Sequence, residues 1–434
     1  MNKNMIRISK VNCQYEKEPL VASFGFKGNY INELWQTIVL MESDRGCSCI
    51  GLGVQSVLWS DPKIFSSFGE KKGNSIMYKI TEFAIEKAKG LCFYTPIDLM
   101  DQLLPVVHDY GKAITGDTDL RKTFILNALT PIDHAAWLLY SMENGIKNFD
   151  DMIPEFVQSS LNWHHKKLAA IPLIAYDVDT QSVSDILDKG YFFLKIKIGS
   201  DPEKDGDLNK MLEWDKKRLK SIHSLARKYA TPFTDNRKIV YYLDANGRYD
   251  SKDRLMKLLD FADKIGALEQ IILFEEPFPE GNDIDVSDIP ICLAVDESVH
   301  SEIDALECIE RGYGAIALKP IAKTLSVSFK IVKAAYDRGI PCFCADLTVN
   351  PVMVDWNKNI ASRLSPLPEM AIGVLESNGS QNYLNWETMK SYHPCHAKWT
   401  RVTDGTFDLD DDFYAYSGGS FNASEHYLSI VNAH

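Results

Sequence analysis

Several short apolar runs in the second half of the chain end in charged side chains whose types and spacing could do acid–base chemistry. One run reads Phe192-Phe193-Leu194-Lys195-Ile196-Lys197-Ile198. Alternation along a strand puts Lys195 and Lys197 on one face. Two adjacent ammonium groups disfavour each other's charge, so one is expected to titrate towards neutrality, where a lysine serves as a general base. Taken alone, the pattern equally suits an edge strand with solvated lysines. The next run ends Leu243-Asp244-Ala245-Asn246, with Asp244 and Asn246 on one face. The two after it end Phe274-Glu275-Glu276 and Val295-Asp296-Glu297. Three successive carboxylates on one rim repel unless a cation holds them. Oxygen-only ligands suit a hard ion, Mg²⁺ first and Mn²⁺ as the alternative. A further run ends Leu318-Lys319-Pro320. Lys319 is expected to face Lys197 across the site; alone, it also fits a strand lysine paired with a loop carboxylate.

These groups need a scaffold that brings strand ends together. Eight apolar runs recur from about residue 170: 171–178, 192–198, 239–245, 271–277, 291–297, 315–319, 341–346 and 370–376. Helical patterns lie between them, for example 208–229, 251–265, 302–311 and 325–338. Strand–helix alternation predicts a parallel sheet, and eight repeats predict a (β/α)₈-type barrel with its site at the C-terminal strand ends. Residues 1–150 read as a separate α+β unit. Strand-like 34–41 and 47–54 flank the polar turn Glu42-Ser43-Asp44-Arg45-Gly46, and helical patterns follow from about 75 to 140. The expected division is a capping domain over 1–150, completed by a loop-rich tail from about 383 to 434, and a barrel over 165–382.

The ordered set Lys-Ile-Lys, Asp-Ala-Asn, Glu-Glu-Pro, Asp-Glu-Ser and Leu-Lys-Pro resembles the enolase superfamily. Within it, the set is similar to the mandelate racemase/muconate lactonizing enzyme family, and to its muconate-lactonizing-enzyme subgroup with dipeptide epimerases, N-acylamino acid racemases and o-succinylbenzoate synthases. The hairpin ending Gly51-Leu52-Gly53 and the stretch Ile132-Asp133-His134-Ala135-Ala136-Trp137 resemble that family's capping domain. The resemblance implies a modified TIM barrel with an α+β cap. It implies Lys197 and Lys319 as acid/base groups, Lys195 as the neighbour tuning Lys197, and Asp244, Glu275 and Asp296 as Mg²⁺ ligands. Glu276 and Glu297 alternate away by strand parity and rank second. The implied chemistry is removal of the α-proton of a small carboxylate through an enediolate, the pattern known for enolase-superfamily sites with a lysine base. An isomerase follows, a racemase or epimerase of an amino-acid derivative or dipeptide; the alternative is a lyase or cycloisomerase on the same scaffold.

The sequence also departs from relatives. Subgroups that dehydrate acid sugars carry a His on the seventh strand, whereas this one reads Cys342-Phe343-Cys344-Ala345-Asp346. Dipeptide epimerases often place Asp-x-Asp on the eighth, where this chain has Glu376-Ser377-Asn378. Asn246, Asp346, Glu376 and Asn378 are candidate substrate contacts; surface roles suit the last three equally. Residues 14–30, with Phe24 and Phe26, and 54–59, ending in Trp59, are candidate lids over the mouth, with ordinary packing as the alternative. Trp137 reads as core.

Composition bounds the rest. The 434 residues hold 47 Lys+Arg against 60 Asp+Glu, a net charge of −13. That disfavours nucleic acid and anionic membranes as partners, but not a small anionic substrate. No apolar h-region follows the first residues and no run approaches a membrane span. Nine cysteines without zinc spacing predict reduced thiols in a cytoplasmic protein. A homo-oligomer is expected.

Overall fold

The computed structural model describes residues 4–26 and 29–433, without the side chains of Phe24 and Phe26. The N-terminal unit is an antiparallel sheet of β1 (Ile6–Phe26), β2 (Asn29–Ser43), β3 (Ser48–Gln55) and, after the short helix α1 (Val57–Ser60) and α2 (Pro62–Ala88), β4 (Cys92–Phe93). β2 and β3 pair from Trp35↔Gln55 to Glu42↔Ser48, the hairpin expected from sequence. Gly46 at its turn has φ 85°, a conformation open to glycine. α3 (Pro96–Thr115) and α4 (Lys122–Glu143) complete the layer.

α4 is buried from Thr123 to Ser141 on every face. β3 covers one side, at a distance only glycine allows: a Cβ on Gly51 would lie 2.1 Å from the Pro131 carbonyl. The other side meets the barrel. Pro131 sits inside α4 without ending it.

After the single turn α5 (Phe149–Met152) the chain enters the barrel through β5 (Lys167–Ile171) and β6 (Leu173–Ile174). The remaining strands are β7 (Phe193–Lys197), β8 (Val240–Asp244), β9 (Ile271–Glu275), β10 (Leu293–Val295), β11 (Ala315–Leu318), β12 (Cys342–Cys344) and β13 (Gly373–Glu376). The helices between them are α6 (Thr180–Asp188), α7 (Leu208–Ala226), α8 (Lys252–Lys264), α9 (Glu302–Glu310), α10 (Leu325–Asp337) and α11 (Pro351–Ala361). β6 through β13 pair in sequence order, all parallel, and β13 pairs with β5. β5 and β6 are one strand divided at Pro172, whose missing N–H interrupts the ladder. β5 pairs with one neighbour and β6 with the other, so the ring closes as an eight-stranded barrel. The first strand therefore begins at Lys167, earlier than the expected 171–178, because the apolar residues after Ile174 lie in a loop.

The tail opens with α12 (Gly379–Asn382) and α13 (Trp386–Lys390), then splits its contacts. In the hairpin of β14 (Val402–Thr403) and β15 (Thr406–Asp408), β15 pairs antiparallel with β5 of the barrel. After α14 (Asp411–Tyr416), α15 (Glu425–Asn432) returns to the N-terminal sheet, where Asn12 donates to the Val431 carbonyl at 2.7 Å. No helix among the described residues is long and apolar enough to cross a membrane.

The cap is keyed to the barrel by the stretch that reads as core in sequence. The Asp133 carboxylate accepts from the backbone N–H groups of Leu325 (2.7 Å) and Ser326 (3.2 Å), capping α10 from outside the barrel. Trp137 donates its indole N–H to Ser326 Oγ at 3.1 Å. Burial pushes the Asp133 carboxyl up to about 7, against the hydrogen bonds from Ser326 and Leu325.

Candidate active site

Short strands bring the charged groups to one rim. Lys197, Asp244, Glu275 and Glu376 are the last residues of β7, β8, β9 and β13. Asp296 and Lys319 lie one residue beyond β10 and β11; Asp346, Asn246 and Asn378 lie two beyond their strands. Nine of the ten residues singled out above line one cavity, and Glu275 is fully buried at 0% exposure. The cap roofs this cavity with Leu20, Ile31, Leu34, Leu58 and Trp59. It offers about 60 Å³ to the centres of water-sized spheres, a narrow and partly apolar space. Both candidate lids reach the cavity, 14–30 through Leu20 and 54–59 through Ser56, Leu58 and Trp59, whose ring lies 4.4 Å from the Lys319 ammonium. The Phe24 and Phe26 side chains lie outside the described residues.

The lysines are engaged by carboxylates. Lys195 Nζ lies 2.8 Å from Glu275, 3.0 Å from Asp244 and 3.1 Å from Glu376. Burial drives its ammonium towards neutrality, but these carboxylates outweigh that and hold it well above the ordinary lysine range. Lys195, the neighbour expected to tune Lys197, is thus held in its charged form by three carboxylates. Lys197 Nζ donates to Asp244 Oδ2 at 2.6 Å and to Asn246 Oδ1 at 2.5 Å. Lys319 donates to Asp296 Oδ2; burial opposes its charge, and Asp296 and Glu275 outweigh burial and raise it. Burial likewise opposes the charge of Asp244 and Asp296, but Lys195 and Lys197 hold the first, and Lys319 and Lys323 the second, well below the carboxylate range. Glu275 is driven well above that range by burial and by Asp244.

Three carboxylates can hold a hard cation. One oxygen each from Glu275, Asp296 and Glu297 lies within 4.8 Å of the others, and all three residues are buried. Among the described residues, Glu275 Oε1 and Glu297 Oε2 have no hydrogen-bond partner, a state that a bound cation would relieve. Two of the expected ligands are in this group. Asp244 is outside it: its Oδ2 meets the two lysines and its Oδ1 accepts the Asn246 N–H at 3.1 Å. Glu297 is the third carboxylate of this group. Parity ranked it second, but β10 ends at Val295, so alternation no longer governs residue 297. Glu276 does turn away. With φ 41° it accepts from the Asp296 N–H at 2.9 Å and from the Ser298 hydroxyl. Its carboxyl is pushed up to about 7 by burial and Glu297.

On the β12–β13 side, Asp346 accepts the N–H groups of Leu347 (2.7 Å) and Asn378 (2.8 Å), while its own N–H donates to Glu376 at 3.0 Å. Burial and Glu376 push the Asp346 carboxyl up to about 6. Two residues escaped the sequence reading. Lys323, 2% exposed, donates to Asp296 Oδ1 (3.0 Å) and to the carbonyls of Asp296 (2.5 Å) and Val299 (2.9 Å). Tyr242 donates to Glu275 at 2.5 Å beneath Lys195. Tyr242 shares the inward face of Asp244 two residues on, a signal that was available; Lys323 lies in a loop, where no period points to it.

No family model and no curated protein matches the sequence. Solved structures do match its fold. A mandelate racemase/muconate lactonizing protein from Herpetosiphon aurantiacus is 16% identical with a TM-score of 0.65, covering 93% of this chain and 96% of that one. A dipeptide epimerase from Enterococcus faecalis, complexed with Mg and L-Leu-L-Tyr, is 18% identical with a TM-score of 0.60, covering 85% and 90%. An N-succinyl Arg/Lys racemase from Bacillus cereus is 17% identical with a TM-score of 0.60, covering 87% and 89%. The capped barrel of this chain is thus the fold of the mandelate racemase/muconate lactonizing enzyme structures, as the motifs at its strand ends implied.

Proposed function

We propose that the protein is a racemase or epimerase that removes and returns the α-proton of a small carboxylate, an amino-acid derivative or dipeptide, with Mg²⁺ held by Glu275, Asp296 and Glu297 and with Asp244 beside them. The observation that carries the reading is the placement of two lysines in one cavity. β11 stands four places round the eight-stranded ring from β7, so Lys319 and Lys197 approach from opposite sides, with the carboxylates of β8 to β10 on the arc between. A bound Mg²⁺ supplies charge stabilisation for the enediolate that loss of the α-proton creates. One lysine takes the proton and the other returns one to the opposite face, which inverts the centre. Asn246 and Asp244 orient Lys197, and Asp296 and the Trp59 ring hold Lys319 in its protonated form. The apolar roof limits water at the reacting carbon. The similar structures named for dipeptide epimerases and an N-acyl amino acid racemase support this substrate class.

The test is incubation of dipeptides and N-acyl amino acids with Mg²⁺ in deuterated water. The expected result is α-deuteration with inversion. Lys197→Ala and Lys319→Ala should each abolish inversion while retaining exchange of one antipode. Loss of a leaving group without inversion would assign a lyase or cycloisomerase, and full turnover by Lys197→Ala would remove that lysine from the chemistry.

A further inference from the structure

The Trp59 ring lies 4.4 Å from the Lys319 ammonium, yet Trp59 belongs to the cap and Lys319 to the barrel. Their alignment therefore depends on what ties the two units together beside them. Trp59 sits in α1, a single turn too short to hold its own shape. The start of α4 fastens it. Asn127 accepts the Ser56 N–H at 2.9 Å and donates to the Val54 carbonyl at 2.8 Å, and the Thr123 hydroxyl donates to the Ser60 carbonyl at 2.6 Å. These bonds tie the strap 54–61 to the cap alone.

Arg121, the residue before α4, reaches the barrel as well. Its guanidinium Nη1 donates to the carbonyls of Ser60 (3.3 Å) and Trp59 (3.5 Å), and its backbone N–H donates to Asp61 at 3.2 Å. Nη2 donates to Glu280 in the loop after β9. His300 Nε2, in the loop after β10, stands 3.2 Å from the other Glu280 oxygen, and Asp304 of α9 accepts the His300 N–H at 2.9 Å. The planar fork of Arg121 thus joins the backbone of Trp59 to the loops that follow Glu275 and Asp296. The key formed by Asp133 with Leu325 and Ser326 lies twelve residues along the chain, about 18 Å away at 1.5 Å per helical residue, too far to set the Trp59 end.

We propose that Arg121 is a positioning residue: through Glu280 it sets the Trp59 ring against Lys319, and so governs proton transfer on the Lys319 face of the substrate. This rests on the reading of Lys197 and Lys319 as two bases. The experiment compares the full chain with Arg121→Met, Glu280→Gln and the double variant, first by amide hydrogen exchange. The Ser60 and Asp61 N–H groups, bonded to Ser56 (3.0 Å) and Val57 (2.9 Å), report opening of the strap. Loss of the bonds to a charged group predicts about 10- to 100-fold faster exchange there in Arg121→Met. The double variant should match Arg121→Met within about threefold, since Glu280 acts through Arg121. The second readout is α-deuteration of each antipode of the dipeptides and N-acyl amino acids with Mg²⁺. In Arg121→Met the antipode that Lys319→Ala no longer exchanges should slow about 10- to 100-fold with KM within about threefold, while the other antipode keeps its rate within about threefold. A merely structural role would slow both antipodes alike. Equal slowing of both, unchanged exchange of the strap amides, or a double variant well beyond Arg121→Met would each overturn the proposal. No deuteration by the unaltered chain, with the strap amides responding as expected, would remove the epimerase reading and keep Arg121 as the tie between strap and barrel; deuteration with an unresponsive strap would do the reverse.

Discussion

Lys323→Met tests how the β10 end of the site is held. Lys323 is 2% exposed and spends its three N–H bonds on Asp296 Oδ1 and the carbonyls of Asp296 and Val299. Methionine keeps most of the volume and removes the charge. Breaking one side of a buried ion pair costs about 3–5 kcal/mol. Leaving two buried carbonyls unpaired costs about 1–3 kcal/mol each, and the two estimates overlap because they describe the same desolvation. A loss of about 3–5 kcal/mol is therefore expected, read as a lower urea midpoint at unchanged slope. Asp296 would be left with Lys319 as its one ion-pair partner among the described residues. A divalent cation at Glu275, Asp296 and Glu297 would then replace the missing positive charge, so Mg²⁺ should raise the midpoint of the variant more than that of the unaltered chain. A loss below about 1 kcal/mol, or equal Mg²⁺ shifts in both proteins, would refute the account of Lys323 as a buried counter-ion.

Two other outcomes are expected. Glu297→Gln should weaken Mg²⁺ or Mn²⁺ binding at least about tenfold by calorimetry, since it removes charge from a three-carboxylate cluster; unchanged affinity would exclude Glu297 as a ligand. Asp133 should make stability pH-dependent. The folded chain keeps its proton up to about 7, whereas the unfolded chain releases it near ~3.9, so the contribution of this group falls as pH rises between those values and is flat above them. The melting temperature of the unaltered chain relative to Asp133→Asn should accordingly fall from pH 5 to 7; a difference that rises with pH would refute it.

The barrel and most of the site were legible because strand alternation is a strict rule over short runs. Lys195 with Lys197, and Asp244 with Asn246, follow from period two, and the helix patterns matched the observed helices to within a few residues. The rule fails where strands stop. Glu297 lies beyond the end of β10 at Val295, where parity no longer places a side chain, and Lys323 lies in a turn no period describes. The first strand was placed late because Pro172 divides it between two neighbours, a tertiary fact that local composition does not encode. The surroundings of Lys195 were hidden for a related reason. Sequence placed one lysine beside it, while three carboxylates from three other strands lie within 3.1 Å.

The roof of the cavity has a history as well as a geometry. Leu20 forms an isolated antiparallel bridge with Tyr383, the Leu384 N–H donates to the Pro19 carbonyl at 3.0 Å, and Asn385 donates to Glu18 at 3.0 Å. The partners that fasten this hairpin thus emerge from the ribosome more than 360 residues after it. At about 5–20 residues per second, the wait is roughly 20–70 s. Through that interval the apolar face of Leu20, Ile31 and Leu34 has no barrel to cover, and a strand pair with an uncovered apolar face is prone to wrong pairing. The contacts that hold the roof over the cavity in the finished protein can therefore form only after almost the whole barrel has been made.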